Sequence, residues 1–137
     1  MTDPALELQA AIVTALKDLN TAAGNGVYDI PPVDQNGTIT ASYPYITIGS
    51  GSLVPIDEEC FDRSEYSHQI DVWSDSQGYV EVKTIAGQIR MRLHEQDLTI
   101  IGHTVDRMRV DNIAFSRDGG VISRARITLI TETQPIL

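Results

Sequence analysis

The sequence predicts an α+β domain: a largely antiparallel sheet of four strands, or a mixed sheet, with two amphipathic helices packed on one face and a long β-hairpin at the C-terminus. Three observations predict it. Two segments place apolar side chains at helical spacing, Leu8-Ile12-Leu16-Leu19 and Val82-Ile85-Ile89-Leu93, each drawing one stripe down a helix. Between and after them, β-branched and aromatic residues alternate with polar ones, as on half-buried strands. Near the C-terminus, Arg117-Asp118-Gly119-Gly120 separates two alternating runs and reads as a hairpin turn. The order is α-β-β-α-β-β, one domain over residues 1–137, without internal repeats or low-complexity segments.

Asp3 and Pro4 suit the cap and first position of a helix of about 17 residues, which Gly24-Asn25-Gly26 should end. Val27-Tyr28-Asp29-Ile30-Pro31-Pro32 is extended, because a proline disfavours helical backbone in the residue before it. Asp34-Gln35-Asn36-Gly37-Thr38 is a turn or mobile loop, and the role of residues 34–43 stays open. Pro44 opens a strand, Tyr45-Ile46-Thr47-Ile48-Gly49. From Ser50 to Glu65 no period survives, and the segment reads as a long acidic loop. The alternating octet Tyr66-Ser67-His68-Gln69-Ile70-Asp71-Val72-Trp73 is the strand around which the core is organised. Its partner is the following helix, with Trp73 expected in the core beside Ile85, Ile89 and Leu93. In the last hairpin, strict alternation puts Met108, Val110 and Ala114 on one side of the first strand. Ala125, Ile127 and Leu129 then point inward from the second.

No apolar run approaches the ~18 residues a membrane helix needs, and no basic, apolar leader opens the chain, so a soluble protein outside the secretory route is expected. The single cysteine, Cys60, has no disulfide or zinc partner in the sequence and suits a reducing cytoplasm. The net charge is −9, unevenly spread. Residues 1–75 hold 12 acids and 2 bases, residues 76–137 hold 7 acids and 8 bases. Such a chain repels a phosphate backbone, and its two halves are suited to meet between copies in an assembly.

No catalytic signature stands out. His68 lies on a strand, His94 at a helix end and His103 in a connector, none within a nucleophile motif. Carboxylates around Cys60 disfavour its thiolate. The cluster Asp57, Glu58, Glu59, Asp62 and Glu65 lacks the spacing and glycine of a calcium loop. No catalytic, cofactor or metal residue is therefore assigned. The candidate interface residues are Asp57, Glu58, Glu59 and Asp62, opposed to Arg107, Arg109, Arg124 and Arg126, which fall on two adjacent strands as one basic patch.

An amphipathic helix comes first, followed by V-Y-D-I-P-P at 27–32 and P-Y-I-T-I-G at 44–49. After these come V-W-S at 72–74, a helix following Gly78, and the long terminal hairpin. In that order the chain resembles the tail-terminator and tail-completion proteins of long-tailed bacteriophages, their prophage and gene-transfer-agent versions included. The resemblance covers nearly the whole chain and is weakest over residues 30–43. It implies a structural protein of the virion tail, assembled in the host cytoplasm. A ring of copies, typically six, would cap the head-proximal end of the tail tube, stop its polymerisation and join a head-side connector protein. It implies no enzyme activity, no cofactor, no membrane contact, and a lumen that DNA crosses without specific binding. The alternatives are a small acidic adaptor or assembly chaperone for a protein partner, or an unrecognised hydrolase.

Overall fold

The computed structural model describes residues 4–58 and 61–136. In chain order the elements are α1 (Ala5–Asp18), β1 (Val27–Tyr28), β2 (Tyr45–Glu58), β3 (Phe61–Ser74), α2 (Val80–Leu93), β4 (His103–Arg117) and β5 (Ser123–Pro135). The strands form one five-stranded sheet in the order β1-β2-β3-β5-β4. Every pairing is antiparallel except that of β1 with β2. The class is α+β, as expected, but the sheet has five strands rather than four. The extra one is the two-residue segment before Pro31 and Pro32, which pairs with Ile46 and Thr47.

Register divides the sheet into two faces. Ile46, Val72, Ala125 and Phe115 form one row across it; Ile48, Ile70, Ile127 and Ile113 form the next on the same face. Residues of these rows join Leu8, Ile12 and Leu16 of α1 and Val82, Ile85, Ile89 and Leu93 of α2 in one buried cluster. Each fully buried Leu or Ile contributes about 1.5–3 kcal/mol relative to exposure, so the two stripes are what hold the helices to the sheet. The opposite face carries Thr47, Asp71, Trp73, Arg124 and Arg126, and neither helix stripe reaches it.

Four sequence expectations change. First, α1 stops at Asp18, because Asn20 takes a left-handed backbone (φ 54°) before the glycines are reached. Asparagine is among the few residues that tolerate that region. Second, residues 50–65 are not a loop: β2 and β3 pair continuously out to Glu58↔Phe61. The distal hairpin lies beyond the end of the β3–β5 pairing at Ser64↔Thr133, so no core selects an apolar period there. Third, β4 carries register shifts at Val105/Arg107 and Val110/Asn112. The second turns Ile113 and Phe115 to the core face and Ala114 outward, reversing strict alternation. At that shift the Val110 N–H donates to Nδ1 of His94 (3.0 Å), tying the end of α2 to β4. Fourth, Trp73 is on the face away from the helices, so it does not pack with Ile85, Ile89 and Leu93.

The segment at 34–38 is an ordered turn. Oδ1 of Asp34 accepts from the N–H groups of Asn36 (2.8 Å) and Thr38 (3.0 Å), and Val33 bridges Ile39.

Candidate assembly surfaces

Of the acidic candidates, Asp57, Glu58 and Asp62 lie in the last described pairs of the β2–β3 hairpin. Asp57 is in register with Asp62 and Glu58 with Phe61; Glu59 and Cys60 lie outside the described residues. The hairpin is anchored at its base, where the Arg63 guanidinium lies 3.5 Å from the carboxylate of Asp106. Asp106 is the extra residue at the first β4 shift, and its Oδ1 also accepts from the Gln134 amide (3.0 Å). The only base of the acidic stretch is thus committed to β4, within its own subunit. Gly51 makes the hairpin possible: a Cβ there would land on the carbonyl oxygen of Ser67 and 3.2 Å from its carbon. A register shift lies between Gly49 and Gly51 at the same point.

The four arginines share a face but do not make one patch. Arg107 and Arg109 stand opposite Glu132 and Ile130, whereas Arg124 and Arg126 stand opposite Ser116 and Ala114, at the other end of the strands. Each also meets an acid of its own chain. Arg107 bonds Glu95 (2.7 Å), and Arg109 bonds Asp111 (2.6 Å). Arg124 reaches Asp71 at 3.1 Å, with Arg126 at 4.0 Å from the same oxygen. The hydrogen bond from Arg107 holds the Glu95 carboxyl below the usual range and raises Arg107 in turn, although both are in solvent. Such pairs in solvent are weak and exchange partners readily. Side-chain exposure separates them: Arg107 and Arg126 are 55% and 51% exposed, Arg124 only 17%.

Arg124 is placed by more than charge. Its guanidinium lies 4.5 Å from the centre of the Trp73 ring, and Tyr45 stacks near that ring from β2 at 6.2 Å. The indole N–H donates to Oγ1 of Thr47 (3.1 Å), and the Gln69 amide donates to Asp71 (2.9 Å). In the sequence Trp73 has the acids Asp71 and Asp75 two residues to either side. The register Trp73↔Arg124 puts a base beside it across the sheet, a contact no local reading contains. Asp71 was missed for the same reason.

Among the described residues, no three His, Cys, Asp or Glu side chains come together as a metal site. His68 is mostly enclosed: its Nδ1 has no hydrogen-bond partner, its ring stacks on Tyr66 at 6.1 Å, and burial lowers its pKa from 6.5.

Compared with solved structures, the fold is similar to a chain in the virion of a native gene transfer agent particle. The TM-score is 0.81 at 19% identity, over 98% of this chain and 99% of that one. A second solved chain aligns with a TM-score of 0.56 and 14% identity, over 95% of this chain and 94% of that one. No curated protein matches the sequence. The family Tail completion protein gp17 matches residues 8–132, from within the first helix into the last strand, and the chain belongs to that family.

Proposed function

We propose that this protein is a virion component that closes the head-proximal end of a phage-type tail tube as a ring of copies, six in the expected assembly. In that place it ends tube polymerisation and presents a joining surface to a head-side connector protein. The family match over residues 8–132 carries the reading. The likeness in fold to a chain of a gene transfer agent virion agrees with it. The role asks for interfaces and a lumen rather than for chemistry, so no residue is assigned to catalysis and no cofactor to the site. A net charge of −9 suits a lumen that DNA crosses without being held.

Closing a ring needs different surfaces meeting head to tail. The β2–β3 hairpin projects from one end of the sheet and carries Asp57, Glu58, Glu59 and Asp62 in its sequence. We place it against the arginine-bearing face of the next copy, with Arg107 and Arg126 as first partners, Arg109 beside them, and Arg124 held back by Trp73 and Asp71. Two or three such pairs at ~0–1 kcal/mol each tune assembly rather than drive it. The test is the mass of the native particle, alone and mixed with tail-tube protein, together with the length of tails made without it. A ring on the tube, and tails of uncontrolled length in its absence, are expected. Normal tails that join heads without the protein would overturn the proposal. For the interface, reversing Glu58 and Glu59 to Lys weakens assembly, and adding Arg107→Glu and Arg126→Glu restores part of it. A quadruple variant no better than the double one excludes that pairing.

A further inference from the structure

The sheet ends on one side in β4 and on the other in β2, which β1 covers only at Ile46 and Thr47. Backbone groups alternate along an antiparallel strand, so register tells which residues look outward. On β4 the first half of the edge is closed. The Glu95 N–H donates to the Met108 carbonyl (2.7 Å), and the Val110 N–H donates to Nδ1 of His94 (3.0 Å). Past the shift at Val110/Asn112, the same alternation makes Ile113 and Phe115 the outward residues. On β2, Ile46 looks outward, its N–H on the Gly26 carbonyl (2.8 Å); past the shift at Gly49/Gly51 the outward residue is Leu53. Among the described residues, no backbone group bonds these three from the outer side.

The two open edges match. Ile113 and Phe115 lie in the core rows, and Leu53 is in register with buried Tyr66 of the same core. All three side chains therefore stand on the helix side of the sheet. Phe115 is 39% exposed and Leu53 41%, apolar area that the chain itself leaves open. The surroundings of Phe115 are basic. Lys83 lies 5.4 Å from the centre of its ring and Arg117 6.0 Å from that of Tyr79, neither ion-paired among the described residues. Leu53 instead leads into Asp57 and Glu58.

We infer that the β2 edge of one copy pairs with the β4 edge of the next, continuing the sheet between them. An unpaired edge with apolar side chains is a template for another strand. The strand that fits here sets an apolar side chain on the helix side and brings negative charge, and β2 of a second copy does both. Pro55 gives that edge no donor, so the ladder is short and centred on Leu53. Unlike edges meet, which makes the contact heterologous, as a closed ring requires. The inference rests on the assembly of copies proposed above and supplies its backbone part. Arg126, opposite Ala114, stays within reach on the other face of the same edge.

Cross-linking tests the pairing. In a Cys60→Ser background, Leu53→Cys is combined on one chain with Phe115→Cys or with Ile113→Cys, and the protein is oxidised alone and with tail-tube protein. Opposed strand residues hold their Cα atoms about 4.5–5.5 Å apart, within disulfide reach. One of the two combinations should give a ladder of linked oligomers on a non-reducing gel, and the single-cysteine chains should give none. Leu53→Pro removes the outward N–H and spares the bonds to β3, so it should weaken association at least about fivefold in sedimentation. Leu53→Ala keeps the N–H and should lose clearly less. Circular dichroism checks the fold of the proline variant, and the cross-link decides alone where that variant fails to fold. Assembled protein without either cross-link, a folded Leu53→Pro chain that associates like the wild type, or an equal loss in Leu53→Ala would overturn the inference and leave the ring standing. A chain that stays monomeric, alone and with tail-tube protein, would overturn both.

Discussion

Gly51 and Gly49 make a matched pair for testing how the long hairpin is held. Both are on β2, separated by one residue and by the register shift between them. A Cβ at Gly49 meets nothing within 4 Å; one at Gly51 collides with the Ser67 carbonyl and lies 3.2 Å from its carbon. The obstacle is backbone of the adjacent strand, so no rotamer change relieves it. β2 and β3 must separate locally, which costs about two ladder hydrogen bonds at ~1 kcal/mol each, plus strain in a packed sheet. Gly51→Ala should therefore destabilise by about 2–4 kcal/mol, or roughly 10 °C in Tm for a domain of this size. Gly49→Ala should stay within about ±0.5 kcal/mol, since it adds a methyl group to open space. Urea unfolding followed by circular dichroism measures both. Equal midpoints for the two variants would refute the argument, because they would show that β3 does not approach β2 at Gly51 as described.

Leu93→Ala removes a fully buried side chain of α2 and should cost about 2–5 kcal/mol in chemical denaturation; a loss within about 0.5 kcal/mol would place that helix face against something other than the sheet. Asp71→Asn leaves Arg124, at 17% side-chain exposure, without its carboxylate and should cost about 1–3 kcal/mol, measured by the same method. His68 is held neutral by burial, with a folded pKa below the ordinary 6.5, so the unfolded chain takes up its proton first as pH falls. Its contribution to stability is whole above about pH 6.5 and is lost as pH falls toward the folded pKa; His68→Phe should flatten that part of the unfolding midpoint between about pH 7.5 and pH 5.

The parts of the fold that were legible in the sequence are those where burial imposes a period. Leu8, Ile12 and Leu16 recur at helical spacing because one face of α1 is covered, and Ala125, Ile127 and Leu129 alternate because β5 lies in mid-sheet over the helices. Where burial ends, the signal ends as well. The distal β2–β3 hairpin is held by its own backbone ladder and by Arg63 on Asp106, neither of which requires an apolar pattern, and so residues 50–65 read as a loop. In β4 the period exists but is broken. A single inserted residue between Val110 and Asn112 exchanges the faces of Ala114 and Phe115, and composition alone cannot mark the insertion.

The charged segments were legible in the sequence and their arrangement was not, for a reason that lies in what charge depends on. Arg124 and Asp71 are 53 residues apart in sequence and 3.1 Å apart in space. A charge census sees an acidic half and a basic half, but cannot see that strand pairing has already joined them within one subunit. In the ring proposed above, the groups open to a neighbouring copy would be the acidic hairpin and the two arginines whose internal pairs leave their side chains more than half exposed. Arg124 belongs to the other class, fixed between Asp71 and the Trp73 ring. Reversing it would disturb the open face of the fold before it reported on any contact between copies. A charge-swap experiment on this protein is therefore informative only if it begins from Arg107 and Arg126.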